Sequence, residues 1–126
     1  MAILIGSVVQ RLATFSGISA TAVASTPLYT VPTGRTAIIT AVVPRVTAQT
    51  AATVPATAQI ESSPAAADIF PSELMTGVLV VNDDWTFAAG AKGVALPAAA
   101  TVSINITVAA TATSQTLSVD VVGYLQ

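Results

Sequence analysis

Six carboxylates, Glu61, Asp68, Glu73, Asp83, Asp84 and Asp120, are the only acidic side chains in this chain of 126 residues, so any acid–base chemistry has to start from them. A glycosidase needs two carboxyls facing each other across a cleft, with an aromatic platform for the sugar close by. Only Asn82-Asp83-Asp84-Trp85 sets acids beside an aromatic. The same four residues read more simply as a turn, because Asn and Asp bond their own backbone and tolerate a left-handed φ, with the Trp half-buried at its base. Calcium ligation is poorly served there: adjacent carboxylates on an extended chain point apart, and the spaced Asp-x-Asp-x-Asp-Gly loop with a distal Glu is missing. An exposed Trp85 beside Asn82 and Asp83 would make a sugar-binding platform, although a single Trp more often belongs to the core.

Nucleophilic catalysis has less to work with. The chain holds no His and no Cys, which removes the commonest general base, the thiolate nucleophile, disulfides and the usual zinc ligands. A Ser–Lys pair would have to use Lys92, the only lysine, and nothing near it recommends the role. Gly90-Ala91-Lys92-Gly93 lacks the spacing of a phosphate loop and the Ser or Thr that follows its Lys. Asn105-Ile106-Thr107 matches a glycosylation sequon but lies within an expected strand. Arg35 and Arg45 stand ten positions apart on one extended stretch, on one face unless Pro44 introduces a bulge. Solvated surface charge is their ordinary state, and pairing with Glu61, Glu73 or Asp120 of a neighbouring subunit the alternative. The expectation is a non-enzyme, with no catalytic, cofactor-binding or metal-ligating residues and no cofactor.

Composition points the same way. Lys and Arg number 4 against 6 Asp and Glu, so only 8% of residues are charged while 53% are hydrophobic. Soluble domains usually carry about 25% charge. The balance is wrong for disorder, and four scattered cations make no nucleic-acid footprint. Mean hydropathy is high at +0.78, yet no run of about 18 apolar residues appears, and 6 aromatics are too few for the girdles of an outer-membrane barrel. No basic residue precedes the apolar start, as one would in a secretory signal. No membrane role and no nucleic-acid partner are expected. A surface of Ala, Thr and Ser in place of charge favours contact, so some of the apolar excess is expected at subunit interfaces of a homo-oligomer.

Of the residues, 44 are Val, Ile or Thr, whose β-branched side chains suit a pleated strand, and the helix-facing polar residues are nearly absent. The class read from this is all-β. Residues 1–25 are an N-terminal arm or opening strand, and residues 26–126 a single antiparallel β-sandwich. Pro32-Thr33-Gly34 forms a turn, and Arg35 to Thr47 a long strand whose Pro44 belongs at an edge or bulge. Ala48 to Pro55 reads as a loop, and Thr57 to Ser62 as a short strand with Ala58 and Ile60 on one face. Ser63 to Ser72 reads as a crossover or helical turn, with a local cap at Ser72-Glu73-Leu74-Met75. The continuous apolar run Gly77 to Val81 fits a strand buried on both faces, and Ala88 to Gly93 a turn. Thr101 to Val108 alternates without a fault. Thr116 to Leu125 repeats the pattern, with Leu117, Val119, Val121 and Leu125 facing one way, Gly123 in register, and Thr116, Ser118 and Asp120 facing the other. Thr111 to Gln115 between them is short enough for a hairpin loop.

Two stretches carry a resemblance. Leu28-Tyr29-Thr30-Val31-Pro32-Thr33-Gly34-Arg35-Thr36-Ala37-Ile38-Ile39-Thr40 resembles a hairpin of small virion proteins of tailed bacteriophages, and Val119-Asp120-Val121-Val122-Gly123-Tyr124-Leu125 resembles their final strand. Such proteins are similar to capsid decoration (cement) proteins with a jelly-roll β-sandwich, often trimeric. The resemblance implies a structural virion protein on the capsid surface, made in the host cytoplasm. Its partner would be the major capsid protein, and the segment up to about Thr26 would be a candidate clamp. A tail, fibre or head–tail connector component is the alternative, as is a glycan- or receptor-binding module using Trp85, Tyr29 or Tyr124.

Overall fold

A computed structural model describes residues 9–62, 69–88 and 93–126. The described residues form nine strands: β1 (Gln10–Ser19), β2 (Ala24–Thr30), β3 (Ala37–Thr50), β4 (Thr57–Glu61), β5 (Phe70–Leu74), β6 (Phe87–Ala88), β7 (Val94–Leu96), β8 (Thr101–Val108) and β9 (Ser114–Leu125). No helix occurs among the described residues. One sheet has the order β1-β9-β3-β6, with β7 also paired to β3, and the other the order β2-β8-β4-β5. Every pairing is antiparallel. The first strand pairs with the last, the second with the next to last, the third with β6 and β7, and the fourth with the fifth. That is a long hairpin rolled on itself, the jelly-roll order of a two-sheet sandwich.

The core follows from alternation. Val102, Ile104 and Ile106 of β8 and Leu117, Val119 and Val121 of β9 point between the sheets and are buried, as do Val42 and Val46 of β3 and Ala58 and Ile60 of β4. Phe70 stacks on Phe87 with ring centroids 6.4 Å apart, joining the two sheets near one side. The outer faces are polar. Thr14, Ser16, Ser118, Asp120 and Arg45 are linked by register or hydrogen bond on the first sheet; Ser25, Gln59, Glu61, Ser103 and Asn105 lie together on the second. The strands β3 and β9 pass unusually close where Gly123 faces Ile39: a Cβ on Gly123 would land on the Ile38 carbonyl oxygen. On the other side of the same residues Gly93 has φ +69, and a Cβ there would lie 2.7 Å from Ile38 Cγ2.

The turn at Pro32-Thr33-Gly34 forms as expected, with Arg35 N donating to Pro32 O at 3.2 Å and Gly34 at φ 76. Gln10 to Ser19 is an edge strand of the first sheet, with register shifts after Arg11 and Phe15. Residues 1–8 lie outside the described residues. Several local expectations need correction. The long strand begins at Ala37, after Arg35, so the even spacing of Arg35 and Arg45 does not place them on one face, and it continues to Thr50 into the stretch read as a loop. Pro44 sits on an interior strand; its carbonyl accepts from Trp85 N at 3.1 Å, so its missing N–H falls on that side, away from β9. Ser72 to Leu74 belongs to β5, not to a helical cap, and residues 63–68 of the expected crossover lie outside the described residues, as do residues 89–92 of the turn before Gly93.

Two corrections matter most for the site. Gly77 to Val81 is no strand: Val78 is buried, but Val80 and Val81 are 54% and 49% exposed on a loop. Thr111 to Gln115 closes no hairpin, because β8 and β9 belong to different sheets and the connection arches across the end of the sandwich.

Candidate functional site

The carboxylates are scattered, and each described one has its own local partner or surroundings. Glu61, at the end of β4, is fully buried on the outer side of its sheet. Its Oε1 accepts from Ser25 Oγ at 2.9 Å, and its Oε2 from Gln59 Nε2 at 2.9 Å and Asn105 Nδ2 at 3.4 Å. The register pairs Ser25 with Asn105 and Asn105 with Gln59, so three strands deliver their polar side chains to one carboxylate. Asn105 of the sequon is therefore part of an internal network. Glu73 accepts the indole N–H of Trp85 at 3.0 Å, and Trp85 packs half-buried against the core. Asp120 accepts from Thr14 Oγ1 at 2.7 Å, Asp84 stands exposed opposite Arg45, and Asp68 lies outside the described residues. Arg35 donates through Nε to Gln126 O at 3.1 Å. Tyr29 and Tyr124 are half-buried; burial pushes the Tyr29 phenol up, and the nearby Arg35 charge partly offsets this. Among the described residues no three His, Cys, Asp or Glu side chains are placed to hold a metal ion.

Asn82-Asp83-Asp84 does form a turn. Asn82 has φ 75, and Asp83 Oδ2 accepts from the backbone N–H of Val80 at 2.9 Å and of Leu79 at 3.1 Å. Those two bonds hold the Asp83 carboxyl below its ordinary pKa. A group whose folded pKa is lowered stabilises above its unfolded value and stops doing so as pH falls through the folded one. The amides of Leu79 and Val80 are therefore expected to lose hydrogen-exchange protection as pH drops below about 4, the ordinary Asp value, and Asp83→Asn should abolish that pH dependence. Protection that stays flat with pH in the parent chain would show that these bonds do not hold the loop.

What Asp83 holds is one of four loops that share an end of the sandwich. They are residues 20–23, 109–113, 51–56 and 75–82, in that order across the end, and backbone hydrogen bonds join each to the next. Ala110 N donates to Ala20 O at 2.8 Å, Thr111 N to Val54 O at 2.9 Å, Thr53 N to Thr111 O at 2.8 Å, and Met75 N to Ala56 O at 3.0 Å. Ala20, Ala56, Met75, Val78 and Ala110 turn inward and close the core. Gln115, itself buried, donates through Nε2 to the carbonyls of Val78 and Leu79, both at 3.3 Å, and so ties the fourth loop down. Its Oε1 has no partner among the described residues.

The outward side of this end sets large aliphatic side chains among exposed Thr53, Thr76, Asn82, Thr111 and Thr113. Val23, Val54, Val80 and Val81 project from the loops, and Leu74 and Val108 from the adjoining ends of β5 and β8. Leu74 and Val108 are both in register with Thr57, which puts them on one face in a cross-strand row. Among the described residues eight large hydrophobic side chains stand exposed, these six included; the other two, Val9 and Phe15, lie at the opening strand. Residues 20–23, 109–113, 51–56 and 75–82 include no Asp, Glu, Lys or Arg, although the fourth loop runs on to β6 through Asp83 and the exposed Asp84, which lies beside β3. Composition alone locates none of these residues, because they come from four distant parts of the chain. The available signal was large aliphatics set singly in charge-free Ala/Thr loops. The arrangement has the features of a docking surface: hydrogen-bonded in advance, uncharged at the loop tips and rich in aliphatic side chains, at the end of a sandwich with polar sides. Comparison with known proteins brings no relative to set beside it: no family model, no curated protein and no solved structure matches the chain.

Proposed function

We propose that the chain is a structural virion protein of a tailed bacteriophage, a capsid decoration (cement) protein that works as a homo-oligomer, most simply a trimer, and stabilises the shell by bridging major capsid subunits. The observation that carries this reading is the aliphatic-rich end. A jelly-roll sandwich that keeps both sheet faces polar and gathers six large aliphatic side chains at one end is organised for lasting contact with protein. The resemblance of residues 28–40 and 119–125 to small phage virion proteins supplies the kind of assembly. Trp85, committed to Glu73 and packed on the core, does not favour a glycan platform.

A protein that binds only the assembled shell stabilises it by mass action. With free protein at about 100 times its Kd, each occupied site is expected to add about 2.7 kcal/mol to the shell. Scanning calorimetry of empty shells, with and without the protein, should show a higher disassembly temperature, and the protein should pellet with the shells. Shells that neither retain the protein nor change their melting would refute the reading.

A further inference from the structure

We infer that copies of this chain meet through the four-loop end; the inference rests on the reading of the chain as an assembly protein and names the surface that joins its copies. Size is the first argument. Of the 25 residues in the four loops with Leu74 and Val108, Ala20, Ala56, Met75, Val78 and Ala110 turn into the core, which leaves 20, at the lower end of the roughly 20–30 a side of a standard interface. Charge is the second. The loop tips carry no ionisable side chain, with Asp83 and Asp84 only at the margin of the fourth loop, so they would strip water from a charged partner and offer little in return, and an uncharged partner suits them best. The same end of a second copy meets that condition, and its area matches by identity.

The remaining surfaces suit self-association less. The outer faces of both sheets carry hydroxyl, amide and charged groups whose bonds are largely made within the subunit. The free edge at β1 has two register shifts, a device that twists an edge away from pairing with another strand. The loops, in contrast, are already joined to one another by backbone hydrogen bonds, which lowers the ordering cost of association. Val23 and Val108 lie towards one side of the row of loops and Val54, Leu74, Val80 and Val81 towards the other. Half of one row can therefore pack on the opposite half of the next copy, and the measured mass gives the number of copies.

Light scattering after size exclusion, at a low and a high concentration, tests this on the full chain. The parent protein should run as an oligomer whose mass holds in strong NaCl. The variant Val23→Ser/Val80→Ser/Val81→Ser/Val108→Ser should associate about 100-fold more weakly and run as a monomer, with an unchanged circular dichroism spectrum. Val80→Lys, a single exposed change that spares the core, should do the same if the fourfold variant does not fold. A monomeric parent, a parent that dissociates in salt, or variants that keep the oligomer would each overturn the inference. Shell pelleting run in parallel separates the two ideas. Loss of mass without any shell binding by the parent leaves the inference standing and removes the capsid reading. Loss of shell binding with the oligomer intact assigns this end to the shell and overturns the inference.

Discussion

Gly123→Ala is expected to destabilise the fold by about 3 kcal/mol, the upper part of the range for overpacking, and to lower Tm by roughly 10 °C. The new methyl would land on the Ile38 carbonyl oxygen, with Ile38 C 3.0 Å and Ile39 Cα 3.2 Å away. All three are backbone atoms, so no side chain can swing aside; β3 and β9 themselves must separate. Those strands share the longest pairing in the molecule, from Ala37 opposite Leu125 to Thr50 opposite Ser114, and the gap would open near one end of it. Ile39 has little room to retreat, because β7 pairs with β3 on the other side, with Val94 opposite Ile39. Thermal melting followed by circular dichroism reads the effect, and a loss below about 1 kcal/mol, the small end of overpacking costs, would mean that the strands separate freely at this point.

The second large effect belongs to Glu61, and the choice of replacement decides its size. Glu61→Ala leaves the amides of Gln59 and Asn105 without their acceptor on a covered part of the sheet, an expected loss of about 3 kcal/mol. Glu61→Gln can keep the network. Its carbonyl oxygen accepts from Gln59 and Asn105, and its amide donates to the Ser25 hydroxyl, which is able to accept. The expected cost of that change is at most about 1 kcal/mol. Urea unfolding of the three proteins makes the comparison. Equal losses for Ala and Gln would show that the carboxylate itself, and not acceptor geometry, is what the three strands require.

How far the fold could be read from the chain varies by element, for physical reasons. β8 coincides with the alternating stretch Thr101 to Val108 because one side of it faces the core and the other carries Ser103, Asn105 and Thr107. β9 and β4 were legible on the same ground. Gly77 to Val81 was misread because an apolar run has no periodicity of its own: Val78 plugs the end of the core while Val80 and Val81 face outward, and both uses call for the same residue type. The connection from Thr111 to Gln115 was misread because length alone does not tell a hairpin from an arch between sheets. Whether β9 joins β8 or passes to the opposite sheet depends on β1 and β3, which flank it from the other half of the chain. The apolar surplus raised the expectation of a contact surface, but the exposed aliphatic side chains proposed to form it come from loops that only the completed roll brings together.

The rolled order has a consequence for how the protein comes into being. β9 is made after the other eight strands, and it is the strand on which β1 and β3 both pair. Until it emerges from the ribosome, the first sheet has no centre, and β1 waits for partners that lie from 97 residues (Ser19 to Thr116) to 113 residues (Gln10 to Gly123) further along. Closing so long a loop delays the contacts that would reward it, so folding is slow compared with that of a helical protein of this size. β9 must be made before folding can finish, and the apolar side chains of the strands made before it, such as Ile39, Val42 and Val46 of β3, remain exposed on the nascent chain in the meantime. A cell making many copies at once would therefore need to shelter them, and chaperone demand should rise with the rate of translation.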